Sequence, residues 1–283
     1  MDAVSLPVGS PTFYFVRHGE RIDHVDDSWT QQAEAPYDPP LTEDGHEQAR
    51  RTGALIHRLE QQAMRRAEAV RPQKTTFRVL TSPFLRCAQT AEGLFHGFQQ
   101  EEQAGGGPDA DGGAAASAEW TVAVEPGLSE VMSEHYFPTP PPGSIITSRQ
   151  GEMAGGRIQY DGGHTPARDS LPEYPESFQS MMARFVSTLD YTANALAGER
   201  SRVDAGVRQV VVLVTHGAGI NALLWATTLR PGANEVPYCC LTRARLVARR
   251  SAGPLPPFGT SRIPAFKWDV DYRAHADHTL PRL

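Results

Sequence analysis

Cysteine is scarce in this chain: three in 283 residues, Cys87 and the adjacent Cys239 and Cys240. Two neighbours and one distant residue make neither a disulfide framework nor a metal-ligand spacing, so all three are expected as small buried hydrophobes. Positive charge is short as well. With 27 Lys and Arg against 33 Asp and Glu, the formal charge is −6. That argues against a nucleic acid or an acidic membrane as partner, since each needs a net basic face. No apolar stretch approaches the ~20 residues that span a bilayer, and no basic start leads into an apolar core at the N-terminus; the expected location is the cytosol or nucleus. The remaining composition, 40% hydrophobic and 21% charged, suits one large domain over residues 1–283 with insertions. It carries no signal of oligomeric state.

The pattern along the chain alternates strands and helices. Residues 13–16 form an apolar run, and residues 210–214 are β-branched and apolar throughout, as in a central parallel strand covered on both faces. Thr42 is placed to cap a helix whose first turn carries Glu43 and Asp44, with Ala49, Ile56, Leu59 and Ala63 at helical spacing and an end before Pro72. A short strand is expected over 78–81. Ser82 and Pro83 then open a helix with Leu85, Ala88, Ala91 and Phe95 inward. Residues 120–124 read as a strand ended by Pro126 and Gly127. A helix over 176–196 gathers Phe178, Met181, Met182, Phe185, Leu189 and Leu196 on one side. Gly217, Ala218 and Gly219 lead into a helix through Leu224 and Leu229, and strands are expected over 241–247 and 266–270. This order predicts a three-layer α/β/α sandwich around a mostly parallel sheet.

Two stretches break the pattern. Residues 99–118 have almost no large apolar group and are expected as a disordered loop. Residues 137–175 are dense in Pro and Gly, with Gly155, Gly156, Gly162 and Gly163, and are expected as a long irregular excursion that forms a cap over the pocket.

A parallel sheet brings its strand ends to one edge. Here they carry Arg17, His18 and Arg21 after the first strand, Arg86 after the second, Glu130 after the third and His216 after the fourth. A neutral imidazole can attack phosphorus and carry the phosphoryl group, while arginines hold the nonbridging oxygens through charge-assisted hydrogen bonds. The arginine charges also disfavour protonation of His18, which keeps the nucleophile free. Glu130 is the strand-end carboxylate available as acid, although register alone leaves its neighbours Glu125 and Glu134 in competition.

These segments resemble the histidine phosphatase superfamily, the phosphoglycerate mutase-like fold, over residues 13 to about 229. RHGER at 17–21 is similar to its signature, LTEDGHEQA at 41–49 to its first helix start, TSPFLRCAQTA at 81–91 to its second phosphate-binding segment, and VTHGAG at 214–219 to its second histidine. With VEPGLSE at 124–130 and VPYCCL at 236–241, the chain looks most like the phosphatase domain of the suppressor of T-cell receptor signalling proteins. It departs from them in carrying Val131, not an aromatic residue, after the acid. The resemblance implies a phosphohistidine nucleophile at His18, a phosphate pocket of Arg17, Arg21, Arg86 and His216, and a proton donor at Glu130.

The expected activity is hydrolysis of a phosphomonoester, in a phosphoprotein or a small molecule, without a metal or an organic cofactor. A noncatalytic scaffold with the same fold is the reading from another class, and a mutase is the other enzymatic one.

Overall fold

Residues 13–16 are apolar without alternation because both of their faces are covered. The computed structural model describes residues 10–66, 72, 74–104, 117–200, 206–230, 232, 236–249 and 264–280. Its strands are β1 (Thr12–Arg17), β2 (Lys74–Thr81), β3 (Ser117–Val124), β4 (Gln159–Tyr160), β5 (Val207–Thr215), β6 (Leu241–Arg249) and β7 (Phe266–His275). They form one sheet in the order β4-β3-β2-β5-β1-β6-β7. Pairing is parallel from β4 through β1 and antiparallel at β6 and β7. The helices are α1 (Trp29–Gln32), α2 (Glu43–Arg66), α3 (Leu85–Ala104), α4 (Ile145–Ala154), α5 (Phe178–Arg200) and α6 (Gly217–Thr228).

Side chains alternate between the two faces. Phe13, Phe15, Val211 and Leu213 pack with Met181, Phe185 and Leu189 of α5 and Ile220 and Leu223 of α6. Tyr14, Val16, Val210 and Val212 pack with Ile56 and Leu59 of α2 and Ala91 and Leu94 of α3. That is the expected three-layer sandwich. Register aligns the strand ends, with Arg17 opposite Thr215, and Thr81 opposite both Val214 and Val124. The cap reading at Thr42 also holds, since its Oγ1 accepts the Gly45 amide at 2.9 Å.

Several expectations are corrected. Strand β2 starts at Lys74, not residue 78, because Thr75, Phe77 and Val79 continue the buried alternation. Helix α3 buries Arg86, Cys87, Thr90, Ala91, Leu94 and Phe98, whereas Leu85, Ala88 and Phe95 are only half-buried. Its contact with α2 runs through glycines that hydropathy does not score. Phe178 is 65% exposed, since the first residue of α5 precedes the turn that faces the sheet. Residues 99–104 continue α3, where Glu101 pairs with Arg58 at 2.8 Å, and residues 117 and 118 begin β3; the rest of the expected loop lies outside the described residues. The 137–175 stretch holds α4 and β4. Phe137, Ile145 and Ile146 form a separate apolar cluster with Phe84, Val124 and Met132. Arg149 of α4 donates to the Pro83 carbonyl at 3.0 Å and pairs with Asp38 at 2.7 Å. Local turn residues hid these long-range anchors.

Helices α2 and α3 approach backbone to backbone. A Cβ on Gly97 would lie 1.8 Å from the Arg50 carbonyl oxygen, and one on Gly53 2.0 Å from that of Leu94. Alanine in a helix gains ~1 kcal/mol in propensity over glycine, but overpacking costs about 1–3 kcal/mol, and here the obstacle is backbone. Gly97→Ala is therefore expected to lower the urea midpoint. A midpoint above the parent's would mean that the helices are not in this contact.

Candidate active site

Backbone hydrogen bonds continue the strand pairing into the loops that carry the chemistry. The His18 amide donates to the Thr215 carbonyl at 2.9 Å, Ser82 to Val214 at 3.0 Å, and Glu125 to Thr81 at 2.8 Å. His18 is thus fixed one residue beyond β1, Arg86 stands in the first turn of α3, and His216 sits at the N-cap of α6 in extended backbone. Glu130 follows the 3₁₀ turn Pro126–Leu128. His18, Arg86, Glu130 and His216 are all buried.

The His18 ring is oriented by its own loop. Its Nδ1 lies 2.8 Å from the Gly19 carbonyl, which assigns the proton to Nδ1 and leaves the Nε2 lone pair free. The loop is held by the Gly19 amide donating to Thr90 Oγ1 at 3.0 Å. Burial, followed by the charges of Arg86, His216 and Arg17, holds the His18 pKa well below its ordinary value. At neutral pH the imidazole is a neutral base.

His216 lies 5.3 Å from the His18 ring between centroids. Its Nε2 meets Ser82 Oγ at 2.8 Å, and its Nδ1 lies 3.2 Å from both Arg86 Nη2 and Glu130 Oε2. Burial draws its pKa down to about 4 in spite of Glu130, and Arg86 lowers it further. Burial pushes the Glu130 carboxyl up, but the cationic groups facing it, His216 and Arg86, outweigh burial and hold it well below the usual range. Neutral His216 gives Glu130 less support, so above about pH 4 the permanent charge of Arg86, 3.5 Å away, keeps the carboxylate ionised.

Arg86 is the largest fully buried side chain, yet its Nε and Nη1 find no acceptor among the described residues; the same is true of Arg17 Nε. Buried N–H groups are nearly always paired, so these donors mark a place for an anion. Arg17 spends Nη1 on the Val236 carbonyl and stacks 4.2 Å above the Tyr238 ring. Arg21 departs from the expected pocket geometry, because Asp23 takes its Nε at 2.6 Å and also its Nη2. Its field still reaches Arg86 and His216 and lowers both. An anion would compete with Asp23 for it.

Of the three acidic neighbours, Glu125 accepts the amides of Gly127 and Ala167, each at 2.8 Å, so its carboxylate fastens loops. Glu134 is exposed. Glu130 alone meets His216 and Arg86. Sequence reasoning assigned no place in the site to Ser82, read only as a helix start, to Thr90, or to Tyr238, whose ring lies 5.8 Å from that of His18. TSP and VPYCC carried the first and last, but a partner 134 residues away leaves no local trace. Cys87 Sγ lies 3.6 Å from His216 Nε2, and burial pushes its thiol up to about 12, so it stays protonated.

His18, Glu130 and His216 form the one cluster among the described residues whose ligand atoms, within 4.8 Å of one another, could hold a metal ion. Arg86 sets a fixed positive charge beside them, which suits an anion better. A cavity of about 460 Å³ along α5, walled by Ser180, Ser187 and Asn194, includes neither histidine. No helix of the described residues is long and apolar enough to cross a membrane.

Comparison with known proteins bears on both fold and family. The ecdysone phosphate phosphatase of Bombix mori, solved with tungstate, is similar at 19% identity and a TM-score of 0.56, over 89% of this chain and 97% of its own. A phosphoglycerate mutase from Bacillus anthracis is 14% identical with a TM-score of 0.49, over 96% and 97% of the two chains. A mycobacterial glucosyl-3-phosphoglycerate phosphatase solved with inorganic phosphate is 18% identical with a TM-score of 0.47, over 95% and 99%. No curated protein matches the sequence. Of these structural likenesses, the first carries the fold. Residues 13–104, from β1 through the end of α3, match the family model of the histidine phosphatase superfamily (branch 1). That match does not extend to the narrower likeness to the T-cell receptor signalling suppressors. Over this segment, about a third of the chain, the protein is similar to branch 1 of the histidine phosphatase superfamily.

Proposed function

We propose that this protein hydrolyses phosphomonoesters through a phosphoryl group carried on His18. The observation that carries the reading is the buried guanidinium of Arg86, with two nitrogens, Nε and Nη1, unpartnered among the described residues, beside an imidazole kept neutral. Oxygens of a phosphoryl group would take those donors and that of Arg17 Nε, and the charge that spreads over them in transfer would meet fixed cations. His18 Nε2 forms the bond to phosphorus as the bond to the leaving oxygen breaks, and Glu130 gives that oxygen its proton. Negative charge brought beside Glu130 raises its pKa toward the protonated form this step needs. In the second step water attacks phosphorus, the P–N bond breaks, and Glu130 takes the water proton. Two inversions leave net retention. His216, anchored by Ser82, orients Glu130 and the pocket.

Substrate class is set by the walls around the leaving group, not by these residues. A phosphotyrosine peptide, a small phosphorylated metabolite and a sterol phosphate form the panel. The decisive experiment is a rapid quench with an aryl phosphate labelled at phosphorus. Label is expected on the protein in a base-stable, acid-labile bond that maps to His18. Because the His18 pKa is depressed, its free lone pair persists as pH falls through 6.5, and label formation should persist with it. Turnover without labelled protein at any quench time would remove the covalent step. Absence of both turnover and label across the panel would favour the scaffold reading.

A further inference from the structure

Two buried arginines meet Glu130, Arg86 at its carboxylate and Arg184 at its carbonyl, and they differ in one respect. Arg86 leaves N–H groups unpartnered, whereas Arg184 of α5 uses its whole fork. Its Nε and Nη2 pair with Glu176 at 2.8 and 2.7 Å. Its Nη1 donates to the carbonyls of Gly127 and Ser129, both at 2.9 Å, and Nη2 also reaches that of Glu130 at 3.4 Å. The five N–H groups of a guanidinium are thereby matched with five acceptors. Glu176 closes the frame, since its own amide donates to the Met132 carbonyl at 2.5 Å and its Oε2 accepts the Met132 amide at 3.4 Å. The pair is shut off from solvent, at 1% and 2% side-chain exposure.

Apart from the pairing of Arg184 with Glu176, every one of these contacts falls on residues 127–132, the short segment that carries Glu130. Among the described residues the carboxylate itself has one backbone tether, the Val131 amide at 3.1 Å. We infer that Arg184, held by Glu176, is a positioning residue that aims the Glu130 carboxyl at the leaving oxygen, acting through the backbone and without touching substrate. The inference rests on the proton-donor reading of Glu130 above. A buried ion pair is weak evidence of stability, because apolar residues of like size often serve as well. Its geometric function is the stronger reason for its presence. Misplacing a catalytic group by about 1 Å can cost ~10²-fold in rate.

The test is a ratio, because a loss of folded protein cancels from it. kcat/KM is measured for p-nitrophenyl phosphate, whose phenolate leaves without a proton, and for phenyl phosphate, which needs one. Arg184→Lys keeps a charge for Glu176 but loses the fork, and should raise the ratio of the two values by about tenfold or more. Glu130→Gln, the reference, should raise it further. The basic limb of the phenyl phosphate profile should shift in Arg184→Lys and vanish in Glu130→Gln. If Arg184→Lys does not fold, the double variant Arg184→Met/Glu176→Leu removes the buried charges together and is read the same way. An unchanged ratio in a folded Arg184 variant, with the reference responding, overturns the positioning role alone. An unresponsive Glu130→Gln overturns both the donor reading and this inference.

Discussion

His18→Ala is expected to abolish phosphate release, by at least four powers of ten in kcat/KM on the scale seen when the nucleophile of a covalent mechanism is removed. The fold should survive. Among the described residues the lost ring makes one hydrogen bond, to its neighbour Gly19, and the strand pairing of β1 runs through backbone groups that alanine retains. The sign of the pH effect distinguishes this variant from a merely damaged protein. Buried His18 stays neutral in the native state, while unfolded His18 takes a proton below about 6.5. The unfolded chain then binds more protons, so this residue costs stability as the pH falls below 6.5. The alanine variant escapes that cost and should lose less melting temperature between pH 7 and 5 than the parent. Circular dichroism melts alongside phosphate release check both parts. Activity within about tenfold of the parent would falsify the nucleophile assignment.

Arg86→Ala is expected to lower kcat/KM by about two to four powers of ten, the scale of losing a donor to transition-state charge, and Arg17→Ala by somewhat less because one of its nitrogens already serves Val236. Oxyanion binding separates this from general damage. Tungstate or vanadate at about 100 times its dissociation constant should stabilise the parent by ~2.7 kcal/mol, seen as a rise in melting temperature, and should compete with substrate. Arg86→Ala should lose that rise. It also leaves Glu130 buried without its permanent counter-charge, and removing one partner of such a pair costs ~3–5 kcal/mol, so Arg86→Lys is measured beside it. Titration calorimetry in which either variant binds tungstate as tightly as the parent would remove Arg86 from the pocket.

Much of the architecture was legible because continuous apolar runs have one physical explanation, cover on both faces, and β1 and β5 both have it. Their ends then located His18 and His216 without any knowledge of contacts. The facing of α3 was not legible, because Gly93 and Gly97 pack as tightly as leucines but score as neutral. Helix α4 was hidden for a related reason: its flanking prolines and glycines dominate the local pattern, while its anchors, Asp38 and Pro83, lie far away in sequence. Arg21 illustrates the limit within the site. The signature places it beside the histidine, but the carboxylate two residues further on decides where its guanidinium turns. Arg184 carried no mark at all, as one arginine on a helix selected for its apolar side.

The hydrogen bond from Arg17 to Val236 joins residues 219 apart, and it has a bearing on how the protein is made. Strand β1, which leads into His18, is synthesised before β2 to β7, yet it belongs between β5 and β6, which are made after residue 206. Contacts of such separation are slow to form because the intervening loop must close first. Arg17 acquires its anchor and its Tyr238 cover only once residues 236–238 have been made. A nascent fragment that stops before residue 236 therefore displays the signature without this anchor, and the proposed pocket forms only after β5 and β6 have been made.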